Sequence, residues 1–400
     1  MPNDASLRSL WRRPAVAAAR AALAARHDEI VRTQIVISEI PAPTGEEATR
    51  AGWIEARFRA LGLAGVRRDA AGNVIARRPG AAGGPAVVVC AHLDTVFPRD
   101  VAVRVRRAGG RLVGPGIGDN GRGLAAMLAL AEAIGGPGLR TRIPVDFVAT
   151  TGEEGSGDLC GAKHLFADSA REARAAVILD GAGDERIVCR ALGSRRYRIS
   201  YRGVGGHSWT AFGTPNAVHA AAIAAARLAA LPLPQHPRTT LTVGRMGGGI
   251  SINAIPEDGW IEVDLRSSSA QMIARFDHEV RAAAHAAELE ENARGALGAP
   301  PLTVDVRVIG ERPGGETPPE HALVTAAAAA TRFVGREPEL ATASTDANVP
   351  ISLGIPAIAI GAGGRGGDAH SVAEWFEDAD GARGVERALA VVLAAAGVAD

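Results

Sequence analysis

The stretch PAVVVCAHLDTVF, residues 85–97, decides the fold, because it is an apolar run that ends in polar side chains. A run of Val and Ala that begins after a proline is typical of a buried strand. Alternate residues of a strand point to the same side, so His92 and Asp94 at its end face one way together. This spacing suits a metal-binding histidine with a carboxylate behind it, although an ordinary surface pair has the same spacing.

Apolar strands alternate with helical segments on both sides of this stretch. Up to residue 194 the order is AGNVIARR, the quoted strand, the helix GRGLAAMLALAEAIG, the strand IPVDFVATTG, the helix CGAKHLFADSA and the strand AAVILDGAG. After Gly310 the alternation resumes with the helix TAAAAATRFVG and the strand IPAIAIGAG. Such alternation predicts βαβ units, so the predicted fold class is α/β with a mainly parallel sheet.

Residues 195–309 follow a different pattern. The strand SRRYRISYRGVG is followed by the helix TPNAVHAAAIAAARLAAL, the strands TTLTVGRMGGG and GWIEVDLRSS, the helix SAQMIARFDHEVRAAAHAAELEEN and the strand PLTVDVRVI. The order β-α-β-β-α-β is that of a ferredoxin-like α+β domain. We therefore expect one α/β domain made from residues 1–194 and 310–400, interrupted by a smaller domain at 195–309.

Composition argues against several classes of protein. Lys+Arg and Asp+Glu both number 44, so the formal net charge is zero and no basic stripe is available for nucleic acid. No apolar stretch approaches the roughly 20 uncharged residues that span a bilayer, so no membrane partner is expected. The alanine-rich run from Pro14 is interrupted by charges and predicts an amphipathic helix rather than an export signal. The 3 cysteines are too few and scattered for a disulfide framework, which favours a cytoplasmic location.

Four further segments place acidic or imidazole side chains at the same predicted edge of the sheet. They are GPGIGDNGRG with Asp119, TTGEEGSGD with Glu153 and Glu154, VILDGAG with Asp180, and GDAHSVAEWFE with His370. Each alone has an ordinary explanation, such as a turn former, a solvated helix start or a loop histidine. Together, imidazoles and carboxylates without thiolates suit zinc or a similar divalent ion. A bridging carboxylate would allow two ions about 3.5 Å apart.

In this order the segments resemble the di-zinc metallopeptidases and amidohydrolases grouped with peptidase T, carboxypeptidase G, acetylornithine deacetylase and aminoacylase. The resemblance runs from IPAPTGEE to AHSVAEWFE and includes the inserted domain, so it covers nearly the whole chain. It implies two Zn²⁺ per subunit, with Co²⁺ or Mn²⁺ as substitutes. His92 and Asp180 would bind one ion, Glu154 and His370 the other, and Asp119 would bridge them.

The resemblance also implies how the reaction proceeds. Glu153 would be the general base for a metal-activated water. Asp94 would not bind a metal ion itself but would orient the ring of His92, which would. The peptide bond Asp119–Asn120 would be cis.

The inserted domain resembles the lid and dimerisation domain of the same family. His207 in GVGGHSW is a candidate oxyanion donor, acting in its own subunit or in that of a partner, although it also suits an ordinary turn. Asn253 in ISINAIP and Arg266 in VDLRSS are candidates to hold a substrate carboxylate, although Arg266 suits a surface ion pair as well. Ser344 and Asp346 in ATASTDANVP match a loop that lines the substrate pocket.

The predicted function is zinc-dependent hydrolysis of the amide bond in small peptides, as in di- and tripeptidases, with a free C-terminal carboxylate. The alternative is a deacylase of N-acyl amino acids, which uses the same metal chemistry. A non-catalytic binding protein on this scaffold would be favoured if a ligand or the base were missing, and none is missing. The inserted domain has a strand, GRMGGGI, and a first helix that are poor in charge, which predicts a homodimer formed through it.

Overall fold

A computed structural model describes residues 4–136, 138–169 and 173–399. The chain divides into two compact units. The first comprises Met1–Ala191 and Glu316–Asp400, and the second comprises Leu192–Gly315. Among the described residues, no helix is both long and apolar enough to cross a bilayer.

The first part of the chain forms helices α1 to α6 and strands β1 to β8. The helices are α1 Asp4–Trp11, α2 Pro14–Ala25, α3 His27–Ser38, α4 Ala48–Ala60, α5 Gly121–Ala133 and α6 Cys160–Ser169. The strands are β1 Ala64–Arg68, β2 Val74–Arg78, β3 Ala86–His92, β4 Arg106–Ala108, β5 Arg111–Val113, β6 Val145–Thr150, β7 Ala173–Leu179 and β8 Arg186–Ala191.

The second unit and the returning chain supply the remaining elements. The second unit contains β9 Gly193–Arg202, β10 Gly206–His207, α7 Ala217–Ala229, β11 Thr239–Gly248, β12 Ala254–Ile255, β13 Asp258–Ser267, α8 Ala270–Arg294 and β14 Thr303–Arg312. The chain then forms β15 Gly315–Glu316, α9 Ala322–Phe333, β16 Glu339–Ala343, α10 Asn348–Ser352, β17 Ala357–Ile360, β18 Arg365–Gly367, β19 Trp375–Glu377 and α11 Gly381–Ala396.

A nine-stranded sheet in the order β1-β2-β6-β3-β7-β17-β8-β15, with β16 against β8, forms the centre of the first unit. The neighbours β6, β3, β7 and β17 run parallel, whereas β2 is antiparallel to β6 and β8 is antiparallel to β17. The predicted α/β class with a mainly parallel central sheet is thereby confirmed. All residues of β3 are buried, as expected for a continuous apolar run inside a parallel sheet.

The carboxyl ends of β3, β6 and β7 meet at one edge because these strands are parallel neighbours. The segments that follow His92, Thr150 and Leu179 are therefore gathered at that edge. Helix α5 packs against β3 and β7 of this sheet and is buried at every residue except Glu132. Its first turn is capped by the side chain of Asn120, which accepts a hydrogen bond from Gly123 N–H.

The second unit has a four-stranded antiparallel sheet in the order β11-β13-β9-β14. With α7 and α8, the long elements follow the order β-α-β-β-α-β that the sequence predicts. The alternating residues Tyr197, Ile199 and Tyr201 of β9 are buried in the same core as residues of α7 and α8. The short strands β10 and β12 form a separate ribbon that pairs His207 with Ala254.

Candidate metal centre

His92 ends β3 and directs its two ring nitrogens to different partners. Nε2 lies 2.9 Å from Asp119 Oδ1 and 3.9 Å from Asp180 Oδ1. Nδ1 lies 3.1 Å from the backbone oxygen of Asp94, and the residue is 2% exposed. The buried ring is thus fixed on one side, and its other nitrogen faces two carboxylates.

Asp94 has more contacts than the sequence predicts. Its Oδ1 lies 3.5 Å from His92 Nδ1, which is longer than a good hydrogen bond. The same carboxylate accepts hydrogen bonds from the backbone N–H of Glu153, at 3.0 Å, and of Glu154, at 2.9 Å. The hydroxyl of Thr44 donates a third, at 2.8 Å. Asp94 therefore fixes the backbone of Glu153 and Glu154 and also lies beside the Nδ1 side of the His92 ring.

Asp119 lies in a glycine-rich turn that is tied to the end of β7. The Asp119–Asn120 peptide bond is cis, as the resemblance implies. The side chain of Asn120 donates to the oxygen of Leu179 at 2.9 Å and accepts from Gly181 N–H at 3.2 Å. These bonds fix Asp119 close to Asp180, although the two residues are 61 positions apart in the sequence.

Glu154 and His370 meet on the other side of Asp119. His370 Nε2 lies 2.7 Å from Glu154 Oε1 and 3.3 Å from Asp119 Oδ2. His370 has a φ of 64°, in the left-handed region that is uncommon for residues other than glycine. The loop is therefore held in an unfavourable conformation at the residue that faces the two carboxylates.

The donor atoms form overlapping groups whose members lie within 4.8 Å of one another. One group is His92, Asp119 and Asp180, and a second is Asp119, Glu154 and His370. Asp119 belongs to both groups and turns one oxygen to each histidine. Glu153 belongs instead to a third group, with His92 and Glu154. The first two groups have the composition that two divalent ions sharing one carboxylate require.

The electrostatics of the centre also suit cations. Burial acts to lower the pKa of His92, but the nearby carboxylates of Asp119 and Asp94 raise that pKa well above its ordinary value. The bond with Asp119 raises the pKa of His370 to about 9. Burial and the charge of Asp119 raise the pKa of Asp180 to about 7. Negative charge is therefore concentrated here beyond what the two imidazoles balance, and nitrogen and oxygen donors without a thiolate fit zinc.

Sequence reasoning missed one residue that supports the same loop. Glu47 is 6% exposed, and its Oε1 accepts hydrogen bonds from the N–H of Gly45 at 2.8 Å and of Gly152 at 3.1 Å. It thereby ties the start of α4 to the residue before Glu153. The acidic pair in PTGEE indicates the start of a helix, but its spacing does not reveal a partner more than 100 residues further along the chain.

The predicted substrate residues are placed as follows. In the second unit, His207 ends β10 and Asn253 directly precedes β12, and both are exposed. Arg266 donates a hydrogen bond from Nε to Asp264 at 2.6 Å. In the first unit, Ser344 is half-buried. Asp346 is fully buried and accepts a hydrogen bond from the Thr150 hydroxyl at 2.5 Å. Their roles toward a substrate stay predictions.

The model of Peptidase family M20/M25/M40 matches residues 88–394. No curated protein sequence matches the chain.

Several solved structures are similar to this chain. Aminopeptidase PepT from Bacillus cereus ATCC 10987 has 24% identity and a TM-score of 0.74, covering 92% of this chain and 98% of that one. A tripeptidase from Staphylococcus aureus subsp. aureus Mu50 has 23% identity and a TM-score of 0.75, with coverage of 92% and 98%. The YXEP protein of Bacillus subtilis, described as a dinuclear metal-binding peptidase, has 16% identity and a TM-score of 0.66, with coverage of 93% and 99%. At these identities the likeness shows a shared fold alone.

Proposed function

Because the chain belongs to peptidase family M20/M25/M40 and is therefore a metallopeptidase or amidohydrolase, we propose that it hydrolyses the amide bond of small peptides with a free C-terminal carboxylate. The observation that carries this proposal is the pair of donor groups that share Asp119 beside Glu153. Two of the proteins with a similar structure are an aminopeptidase and a tripeptidase, and this favours peptides as the substrate class.

We assign two Zn²⁺ to the centre, with Co²⁺ or Mn²⁺ as substitutes. His92 and Asp180 would hold one ion, and Glu154 and His370 would hold the other. Asp119 would be a ligand of both ions. The bound ions would supply Lewis acidity and an acidified water. Their ligands come from five separate segments of the chain, which meet in the overlapping donor groups.

Glu153 is the proposed general base. Its carboxylate accepts the proton of the attacking water and passes it to the nitrogen of the leaving amine, so that the water adds to the carbonyl carbon and the amide C–N bond breaks. Glu153 is 5% exposed, and the bond from its N–H to Asp94 fixes its backbone. A base held in this way reaches the reacting atoms without a conformational search.

We assign recognition of the substrate to five residues. His207 would donate to the carbonyl oxygen as negative charge develops on it. Arg266 and Asn253 would bind the terminal carboxylate, for which a guanidinium is suited because it bonds both oxygens. Ser344 and Asp346 would line the pocket. A requirement for a free carboxylate follows from these assignments.

Turnover of defined substrates by zinc- or cobalt-loaded protein tests the function. The panel compares free di- and tripeptides, the same peptides with amidated C-termini, and N-acetyl and N-succinyl amino acids. We expect cleavage of the free peptides and little cleavage of the amidated ones. Cleavage of acylated amino acids alone would establish the alternative, a deacylase with the same metal centre. No cleavage of any amide by metal-loaded protein would contradict both.

We also propose that the chain forms a homodimer through the second unit. Strand β11 is an edge strand, and the apolar side chains of Met246, Ile250, Ile252 and Leu289 in this unit are more than half exposed. Met246, Ile250 and Ile252 lie close together in the chain, at and just after the end of β11, and exposed apolar side chains that cluster in this way are typical of an interface. Light scattering should give about twice the 41.0 kDa of one chain. A fully active monomer would contradict the dimer and exclude action of the partner's His207.

A further inference from the structure

The carboxylate of Glu374 is bound by the turn that carries Asp119. Glu374 is 2% exposed. Its Oε1 accepts hydrogen bonds from the backbone N–H of Gly118 and of Asp119, each at 2.8 Å, and its Oε2 accepts one from Gly116 at 2.8 Å. Its backbone oxygen accepts a fourth, from Gly114 N–H at 2.9 Å. One residue therefore holds the turn at four points.

The turn has a conformation that favours glycine at residues 116 and 118. Gly116 has a φ of 70°, which most residues with a side chain adopt only with strain, and a Cβ there would lie 2.7 Å from Thr95 Cγ2. A Cβ at Gly118 would lie only 3.1 Å from Glu374 Oε1. Bonds from N–H groups to a carboxylate are among the stronger hydrogen bonds, and a buried charge needs them. The backbone conformation of the turn is consequently matched to a carboxylate at this position.

The segment that contains Glu374 also contacts the other end of Asp119. His370 Nε2 lies 3.3 Å from Asp119 Oδ2, while Glu374 accepts from Asp119 N–H. The turn bonds from Ser371 N–H to the oxygen of Asp368, at 3.1 Å, and from Glu374 N–H to the oxygen of Ser371, at 3.0 Å, fix the spacing of this segment. The same short segment thus supplies a proposed ligand and holds the backbone of the shared one.

We propose that Glu374 is a positioning residue that fixes Asp119 where both metal ions can share it. This inference rests on the proposed two-metal role of Asp119. Without the carboxylate, three N–H groups of the turn lose their acceptor, and the turn can place Asp119 elsewhere. The expected consequence is weaker metal binding beyond any loss of stability.

A purely structural role for Glu374 is the competing explanation, and the chain offers a matched control. Glu291 is 4% exposed, and its Oε1 accepts a hydrogen bond from the backbone N–H of Asn216 at 2.9 Å. It lies in the second unit, whereas all proposed metal ligands lie in the first. Loss of Glu291 removes a buried carboxylate with a backbone partner without touching the turn of Asp119.

The experiment compares full-length wild type with Glu374→Ala, Glu374→Gln and Glu291→Ala. Zinc affinity is measured by competition with a chromophoric chelator, the ligand field by visible absorption of the Co²⁺ form, and folding by Tm. We expect Glu374→Ala to bind metal about 10–100-fold more weakly, with an altered Co²⁺ spectrum. Glu374→Gln should lose less metal affinity than Glu374→Ala. The amide oxygen of glutamine can still accept hydrogen bonds from the turn, whereas its amide nitrogen cannot accept them. Glu291→Ala should lower Tm with unchanged metal affinity.

Two results would overturn the proposal in distinguishable ways. If both Glu374 variants bind two ions with wild-type affinity and spectrum, Glu374 does not position Asp119, whatever their Tm. If the wild type itself takes up fewer than two ions, the two-metal function fails before the role of Glu374 is reached. Should Glu374→Ala not fold, the nearly isosteric Glu374→Gln gives the decision by the same two readouts.

Discussion

Glu153→Gln is expected to lower kcat by about 10²–10⁴-fold, the range typical of a lost general base. Glutamine has the shape of glutamate but cannot take up the proton of the attacking water. The backbone bond from residue 153 to Asp94 does not depend on the side chain, so the loop should keep its conformation. Metal content and KM should therefore change little, because neither of the two proposed ion sites includes Glu153. Steady-state kinetics on a cleaved peptide, with metal analysis of the same sample, measures all three quantities.

Asp158→Asn is the matched control for this variant. Asp158 lies five residues further along the same loop, where its carboxylate pairs with Lys163 at 2.6 Å. Its φ of 55° is one that asparagine tolerates well. This variant should keep wild-type turnover. Unchanged turnover in Glu153→Gln would contradict the proposed mechanism, and equal losses in both variants would indicate damage to the loop rather than loss of a base.

Asp119→Ala is expected to lower turnover by more than about 100-fold and to reduce the metal content below two ions per chain. Loss of a residue that only supports a ligand typically costs 10–100-fold in affinity or activity, and Asp119 is proposed as a ligand of both ions. Its two oxygens lie 2.9 Å from His92 Nε2 and 3.3 Å from His370 Nε2, and among the described residues it is the carboxylate that both donor groups share. Metal content by elemental analysis and kcat/KM give the result.

Asp368→Asn controls for loss of a carboxylate near this centre. Asp368 is exposed, lies two residues before His370 and belongs to none of the donor groups among the described residues. Its φ of 55° again suits asparagine. This variant should retain two ions and wild-type turnover. Retention of both ions by Asp119→Ala would refute the shared-ligand assignment.

Much of the first unit could be predicted from the sequence because its signals are local. The continuous apolar run of β3 indicated a strand buried on both faces, and the alternation of strands with helices indicated parallel neighbours. In a parallel sheet the carboxyl ends of adjacent strands lie together, so the residues after them were expected to meet. His92, Asp119, Glu154, Asp180 and His370 do meet in overlapping groups. The ordered motifs in turn indicated the family, which the family model confirms.

The contacts that hold these residues in place could not be predicted, because they join a side chain to backbone groups far along the chain. The sequence predicted that Asp94 faces His92, but not that it binds the backbone N–H of Glu153 and Glu154. Likewise, AHSVAEWFE gave no sign that Glu374 bonds a turn more than 250 residues earlier. Residue spacing specifies which side chains share a face, whereas such bonds depend on the loop conformations of the folded chain.

The most direct test of the two-metal centre is anomalous diffraction at the zinc edge from crystals of zinc-loaded protein. We expect two peaks per chain about 3.5 Å apart, one against His92 and Asp180 and the other against Glu154 and His370. Asp119 should contribute one oxygen to each. A single peak, or two peaks of which neither touches Asp119, would contradict the assignment of this centre.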